Sequence, residues 1–306
     1  MPRIVLTVGI CTLNRAASLR RTLVSLAECV VPTGVELEIV VADNGSADDT
    51  PDVIKEFETS LPMRRIAEPR RGLSHARNAV VGAARGEYLL WTDDDCVVGG
   101  RWLSAYAAAI DRWPDAVVLG GPIRPEFEGE TPPWLTRVAA RVKTAYAARD
   151  LGREPLDLDV NANRVPFGAN YGLRLHEQRA HLYDPRLGRG GALPVSVGEE
   201  TEVMRAILRE GGSGRWVPDA IVTHCIPSDR QTTAYLRDYF FAGGAYEEWR
   251  LRGADGVSRV ELRRRAILGT IRYCVRRHLT APEVWIEDLI AANVARGRMA
   301  ARRALE

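Results

Sequence analysis

Three consecutive carboxylates, Asp93, Asp94 and Asp95, close the apolar run LLWT at positions 89–92, and the chain turns apolar again at Cys96. Adjacent like charges repel, and taking them out of water is costly. Such a cluster belongs in a solvated turn or beside a cation. Strand-end carboxylates one residue apart can share a hard divalent ion, which prefers oxygen ligands and often carries substrate phosphates too.

Four other segments hold residues suited to chemistry. In VVADNGSADDT, 40–50, a strand ends in Asp43 and Asn44, with Gly45 and Ser46 leading to a helix that Ser46 is placed to cap. A turn accounts for Asn-Gly-Ser but not for Asp43, one step inside the strand, which could bond a heterocycle or ribose edge. RRGLSHARNAV, 70–80, brings Arg77 and Asn78 onto a helix, where arginine can approach a phosphate or a base carbonyl. VGEETEVMRAILREGG, 197–212, opens a helix with Glu199, Glu200 and Glu202. Acidic residues in a first turn complement the helix dipole, and near a metal site one of them could also act as a general base. His224 stands at a strand end, structural unless it is turned toward a cation as a further ligand.

The elements that must position these residues alternate. IVLTVGICTL, ELEIVVAD, MRRIAE, EYLLWTD and AVVLGG read as strands. Helical segments lie between them, such as AASLRRTLVSLAECV with Leu19, Leu23 and Leu26 on one face. Alternation of this kind implies a mainly parallel, doubly wound α/β sheet, a Rossmann-like arrangement with helices on both faces. Ligands bind such sheets at the carboxyl ends of the strands. Three strands end in polar groups: Thr12–Asn14, Asp43–Asn44 and Asp93–Asp95. Further on, TRVAARVKTAYAAR reads as a helix, FGANYGLR as a strand or turn, RWVPDAIVTHC as a strand pair, and TTAYLRDYFFAGGAYEEWRL as a helix. Two helices follow from about residue 257.

Bulk properties exclude several classes. The 306 residues carry a formal net charge of +2, so nothing global points to nucleic acid. The five cysteines are scattered without a CxxC pair, which argues against a disulfide framework or a zinc site and fits a reducing compartment. RIVLTVGICTL runs into Asn14-Arg15 without a cleavage site, and no apolar run reaches the length of a membrane span. The expected location is cytoplasmic, with peripheral contact at the inner face of the membrane as an option.

In this order, the segments resemble the family 2 glycosyltransferases of GT-A fold, over roughly residues 4–250. ICTLNR is similar to the family's first-strand segment and VVADNGSADDT to its D-[NDG]-G-S-x-D-x-T loop. GLSHARN is similar to its G-x-x-x-A-R-N segment, TDDDC to its D-x-D strand end, FGANYGLR to its G-x-N acceptor-side turn, and GEETE to its [GE]-E-D helix start. The resemblance implies inverting transfer of a sugar from a nucleotide diphosphate, a UDP-sugar first among candidates, to a carbohydrate or lipid-linked acceptor, assisted by Mn²⁺ or Mg²⁺. It implies that Asp43 bonds the base, with Thr12 and Asn14 beside it and Arg77 nearby. Arg15, Asn44 and Asp94 join the donor site, and Asp93 bonds the ribose. Asp95 binds the metal, with His224 as a further ligand. Glu200 stands at the base position, with Glu199 as the alternative. Two residues depart from the pattern: Leu13 replaces a tyrosine that would stack on the base, and Glu200 replaces an aspartate.

The implied organisation is a nucleotide-sugar half over 1–120, an acceptor-binding and catalytic half over 121–250, and C-terminal helices over 251–306. In those helices Val260, Ile267, Ile271 and Val275 form an apolar stripe, with Arg263, Arg264, Arg272 and Arg276 elsewhere on the surface. Packing on the rest of the chain, docking on an anionic membrane and contact with another copy are its three possible uses. Three rival functions are weaker. A haloacid dehalogenase-type phosphotransferase needs its D-x-D-x-[TV] on the first strand of its domain, and a sugar-phosphate nucleotidyltransferase needs a Gly-rich basic loop where ICTLNRAAS stands. A nucleotide-sugar sensor would need no base.

Overall fold

The structure, a computed structural model, describes residues 4–191 and 193–305. In chain order its elements are β1 Ile4–Thr12, α1 Ala16–Ala27, β2 Val35–Asp43, α2 Thr50–Phe57, β3 Met63–Ala67, α3 Leu73–Ala83, β4 Tyr88–Thr92, β5 Cys96–Val98, α4 Trp102–Arg112, β6 Ala116–Gly120 and β7 Ile123–Phe127. Then follow α5 Pro133–Val138, β8 Asn170–Arg174, α6 Leu175–Ala180, α7 Glu199–Arg209, β9 Ser213–Trp216, β10 Val222–Ile226, α8 Thr233–Leu251, α9 Arg259–Leu279 and α10 Pro282–Ala304. The chain divides into two compact units. One runs to Glu126 and includes Ala147–Pro185 and Glu199–Cys225; the other comprises Phe127–Tyr146, Arg186–Gly198 and everything from Ile226. These units interleave along the chain.

The first unit is built on a seven-stranded sheet in the order β3-β2-β1-β4-β8-β6-β9. The run from β3 to β4 is parallel, β8 is antiparallel to both β4 and β6, and β9 is parallel to β6. Successive side chains on a strand point to opposite faces, so each central strand feeds two cores. Leu6, Val8, Ile10, Ile39, Val41 and Leu90 pack with α1, α2 and α4, while Val40, Ala42, Leu89 and Trp91 pack with α3 and α7. Burial on both faces is why these strands read as near-continuous apolar runs. Gly9 is required by the second core: a Cβ there would lie 2.9 Å from Val80 Cγ1 and 3.0 Å from the Trp91 ring.

Since β1, β2 and β4 are parallel, Thr12, Asp43 and Thr92 fall on one edge of the sheet. Antiparallel β8 adds Asn170 to that edge, directly opposite Thr92. Asn170 is fully buried. Its Oδ1 accepts from Trp102 Nε1 (2.9 Å) and Tyr106 OH (2.8 Å), and its Nδ2 donates to the carbonyls of Pro122 (2.9 Å) and Ala220 (2.6 Å). This residue of the FGANYG turn therefore ties α4 to the segments flanking β7 and β10. Asn170→Ala would strand several buried polar groups, and a loss of about 2–3 kcal/mol in urea denaturation is expected. A change below about 0.5 kcal/mol, the ordinary surface value, would contradict this role.

Three expectations are corrected. The helix expected over TRVAARVKTAYAAR is a short α5 followed by a 3₁₀ turn at Lys143–Tyr146. Ser46 does not cap α2; its backbone N–H bonds Asp43 and its hydroxyl accepts from the Asn14 N–H. The RWVPDAIVTHC pair, β9 and β10, is divided between two sheets, since β10 joins β5 and β7 in a separate three-stranded sheet.

In the second unit, one core gathers Leu135, Val138, Leu236, Tyr273, Trp285, Ile286 and Leu289. A buried Glu248 on α8 is held by Arg298 and Arg302 of α10. Among the described residues none of the five cysteines forms a disulfide, and no helix is long and apolar enough to cross a membrane.

Candidate functional site

The loops after β1 and β2 are stitched together. Asn14, in the left-handed region at φ 53°, donates its N–H to Ser46 Oγ (2.9 Å) and accepts from the Ala47 N–H at Oδ1 (2.8 Å). The Arg15 N–H reaches Thr50 Oγ1 (3.0 Å). Asp43 is buried, with Oδ1 accepting from the Ser46 N–H (2.8 Å) and Oδ2 from Arg65 Nη2 on β3 (2.5 Å). Burial opposes its ionisation, but Ser46 and Arg65 together hold it below the ordinary carboxylate range. Asn44 is spent on the backbone: it donates to the carbonyls of Glu68 and Arg70 and accepts from the Gly72 N–H. It braces the loop that leads into α3.

The acidic triplet faces two ways. Arg15 Nη1 lies 2.8 Å from Asp95 Oδ2 and 3.5 Å from Asp94 Oδ1. His224 Nε2 lies 3.4 Å from Asp95 Oδ1, brought there because His224 on β10 pairs in register with Cys96 on β5. Burial pushes Asp94 up to about 7, against the pull of Arg15 and with the neighbouring Asp95 charge adding to the rise; the Thr12 hydroxyl lies beside it. The cluster thus carries more buried negative charge than one guanidinium offsets. Among the described residues no group of three or more His, Cys, Asp or Glu has the spacing of a metal site. Asp95 Oδ1 and His224 Nε2, 3.4 Å apart, are nevertheless within reach of one ion, a little wider than the about 3.0 Å between adjacent octahedral ligands at bonds of about 2.1 Å. Divalent ions that serve phosphate substrates commonly take only one or two protein carboxylates and complete their shell with phosphate and water. The donor set fits such an ion.

Asp93 turns the other way, toward Arg77. This arginine of α3 is 3% exposed and lies over the rings of Trp91 (5.9 Å) and Tyr183 (5.5 Å). Its Nη2 is 3.6 Å from Asp93 Oδ1; its Nη1 is 2.6 Å from Glu199 Oε1 and 3.6 Å from Glu200 Oε2. One guanidinium therefore joins the strand-end carboxylates to the first turn of α7. Gly168 leaves the room: a Cβ there would lie 3.2 Å from both Arg77 Nη2 and Glu200 Cγ.

The two glutamates differ. Glu199 is 4% exposed and its second oxygen has no hydrogen-bond partner among the described residues. Burial and the neighbouring Glu200 charge push it up to about 7 against Arg77. Glu200 has the more open side chain, its Oε1 accepting from Thr201 Oγ1 (3.2 Å). The raised group makes a stability prediction. Between its ordinary 4.5 and about 7, folded Glu199 keeps a proton that the unfolded chain has released. Stability therefore falls as pH rises through that window, by at most about 3 kcal/mol. Glu199→Gln should flatten the melting-temperature profile between those pH values; an unchanged slope would contradict the assignment.

Of the expected residues, the structure gathers Thr12, Arg15, Asp94, Asp95 and His224 at one cluster. Arg77, Asp93, Glu199 and Glu200 form a second. Asn14 and Asp43 stand in the stitched loops, and Asn44 supports them. Arg77, expected near Asp43, is hydrogen-bonded to Glu199 and lies 3.6 Å from both Glu200 and Asp93. Arg65, Gly168 and Tyr183 were not singled out from the sequence. Arg65 carried a signal, since it lies on β3 in parallel register two places from Asp43; for Tyr183 there was none.

Comparison with known proteins identifies the family and the fold. The profile described as glycosyl transferase family 2 matches residues 7–167. The succinoglycan biosynthesis protein ExoM of Rhizobium meliloti is 27% identical over 243 residues, covering 78% of this chain and 72% of that protein. Validoxylamine A glucosyltransferase of Streptomyces hygroscopicus is 37% identical over 119 residues, 38% of this chain and 28% of that protein. Among solved structures, the Pyrobaculum calidifontis mannosyltransferase in complex with GDP-Man and Mn²⁺ superposes with a TM-score of 0.60 at 16% identity, covering 99% of this chain and 88% of that one. Residues 1–349 of S. aureus TarS, in complex with UDP, give 0.55 at 16% identity over 99% and 92% of the two chains. With a profile spanning more than half its length and the sheet of a GT-A enzyme, the chain belongs to glycosyl transferase family 2 and is a glycosyltransferase.

Proposed function

We propose that the chain moves a sugar, with inversion and with the help of a divalent metal, from a nucleotide diphosphate to an acceptor hydroxyl in the building of a polysaccharide or similar glycan. One observation carries this reading. Asp93, Asp94 and Asp95 bridge two clusters, a cation-seeking one at Arg15, Asp95 and His224 and a glutamate pair held by Arg77. Glycosyl transfer needs both: positive charge for the departing diphosphate, and a base for the incoming hydroxyl. The relatives and neighbours are consistent with it, one acting in succinoglycan biosynthesis and others holding UDP or GDP-Man.

In the reaction, Glu200 takes the proton of the acceptor hydroxyl as its oxygen bonds the anomeric carbon. The bond from that carbon to the diphosphate oxygen breaks on the opposite side, which inverts the centre. Arg15, already beside Asp94 and Asp95, is placed to pair with the diphosphate. A metal held by Asp95 and His224 would neutralise the charge that develops on the leaving group. An imidazole among the donors favours Mn²⁺ over Mg²⁺, which prefers oxygen alone. The Asp43 loop would hold the nucleoside. Leu13 offers it no aromatic ring, so stacking from that position is absent.

The reading is tested by incubating the purified chain with UDP-, GDP- and dTDP-sugars, with Mn²⁺ or with a chelator. Expected is nucleoside diphosphate release from one donor class, dependent on Mn²⁺ and stimulated by a saccharide acceptor. Absence of release from all three classes would overturn it.

A further inference from the structure

The stripe expected from Val260, Ile267, Ile271 and Val275 exists but faces solvent. These four residues are 49% to 78% exposed, and Leu268 and Leu279 widen the exposed apolar surface. The face of α9 that packs is a different one, made of Leu262, Ala266, Gly269 and Tyr273. At 3.6 residues per turn the two faces lie on opposite sides of the helix. Ile267, Ile271 and Val275 of this ridge thus lie outside the packed face of α9 among the described residues.

The charges around the ridge say what it suits. Residues 259–279 contain seven arginines and one acidic residue, Glu261. Arg259, Arg263 and Arg277 fall on one flank of the ridge and Arg265, Arg272 and Arg276 on the other; Arg264 and His278 interrupt its line, and all are exposed. Some are already engaged: Arg264 and Arg265 with Glu261, Arg276 with Asp288 of α10, and Arg277 with His278 and the Tyr273 ring. At the N-terminal end, Arg259, Arg263 and Arg303 line a cleft of about 230 Å³ with Val260 and Met299. Two copies meeting ridge to ridge would press these arginine flanks together, a cost that an anionic partner turns into a gain.

We propose that α9 docks on an anionic bilayer, its Val260–Ile267–Ile271–Val275 ridge entering the headgroup–acyl boundary and the flanking arginines pairing with lipid phosphates. An amphipathic helix with an apolar face and a cationic rim binds in this way, its strength the sum of buried apolar area and attraction to anionic lipid. Long arginine side chains can reach headgroups while their stems lie along the apolar layer. The proposal goes beyond sugar transfer and does not depend on it.

Flotation of the full chain with phosphatidylglycerol–phosphatidylcholine vesicles, and with phosphatidylcholine alone, tests it. Binding is expected only to the anionic vesicles and should weaken as salt rises. Ile267→Asn/Ile271→Asn and Arg263→Gln/Arg272→Gln should each lower the partition coefficient by about tenfold or more. All four positions are exposed, and unchanged melting temperatures would show that the variants are folded. No binding to anionic vesicles, equal binding to neutral ones, or variants that bind as well as the parent would overturn the proposal. So would a dimer in sedimentation velocity that the isoleucine variant dissociates. Nucleotide binding in solution is unaffected in either case, so the failure of this inference and that of the transfer reading are distinguishable.

Discussion

Glu200→Gln should lower kcat for sugar transfer by about 10²–10⁴-fold, or about 3–5 kcal/mol in barrier, while leaving donor affinity within a few-fold. The amide keeps the shape of the side chain and loses only the capacity to take the acceptor proton. Glu200 rather than its neighbour is the expected base because of what each already does. Glu199 is buried and bonded to Arg77 at 2.6 Å, whereas Glu200 approaches the same guanidinium only to 3.6 Å with a more open side chain. Donor hydrolysis and donor binding, measured beside transfer, separate loss of the base from loss of the site. A Glu200→Gln enzyme that transfers at the parent rate would refute the assignment. If Glu199→Gln alone abolished transfer, the roles of the two residues would be exchanged.

Above pH 7, where Glu199 has lost its proton, Arg77→Met should destabilise the chain by about 3–5 kcal/mol, because it leaves buried carboxylates without their counter-charge. Glu199 is 4% exposed, and Arg77 also faces Glu200 and Asp93. Methionine preserves much of the volume between Trp91 and Tyr183, so the loss reports charge more than packing. Combined with Glu199→Gln, part of the stability should return, since a neutral amide no longer needs the cation. Denaturant unfolding of the two single variants and the double variant measures that coupling. Strictly additive effects would show that Arg77 and Glu199 do not act as a pair.

The parallel run of the sheet was legible because its strands are buried on both faces and end in polar residues. The alternation of strands and helices alone places Thr12, Asp43 and Asp95 on one edge, since parallel strands put all their carboxyl ends together. The insertion of antiparallel β8 between β4 and β6 was not legible, because it depends on a crossover of about fifty residues whose path leaves no periodic trace. Asn170 looked like part of an acceptor-side turn, and its four buried hydrogen bonds depend on segments as distant as Trp102 and Ala220. Arg77 was visible as a functional arginine but not as the partner of Glu199, 122 residues away. On α9 the apolar stripe was found, but its direction was not. The face that packs carries small residues, Ala266 and Gly269, which allow close helix approach and score weakly as apolar, while the bulkier aliphatics point outward.

The claim on which the rest depends is that the strand-end carboxylates hold a nucleotide diphosphate through a cation. Calorimetric titration of UDP, GDP and dTDP, each with and without Mn²⁺, into the parent chain and into Asp95→Ala tests it most directly. One nucleotide should bind, only in the presence of Mn²⁺, and its binding should vanish in Asp95→Ala. Binding that ignores the metal and survives Asp95→Ala, or no binding of any of the three, would contradict it.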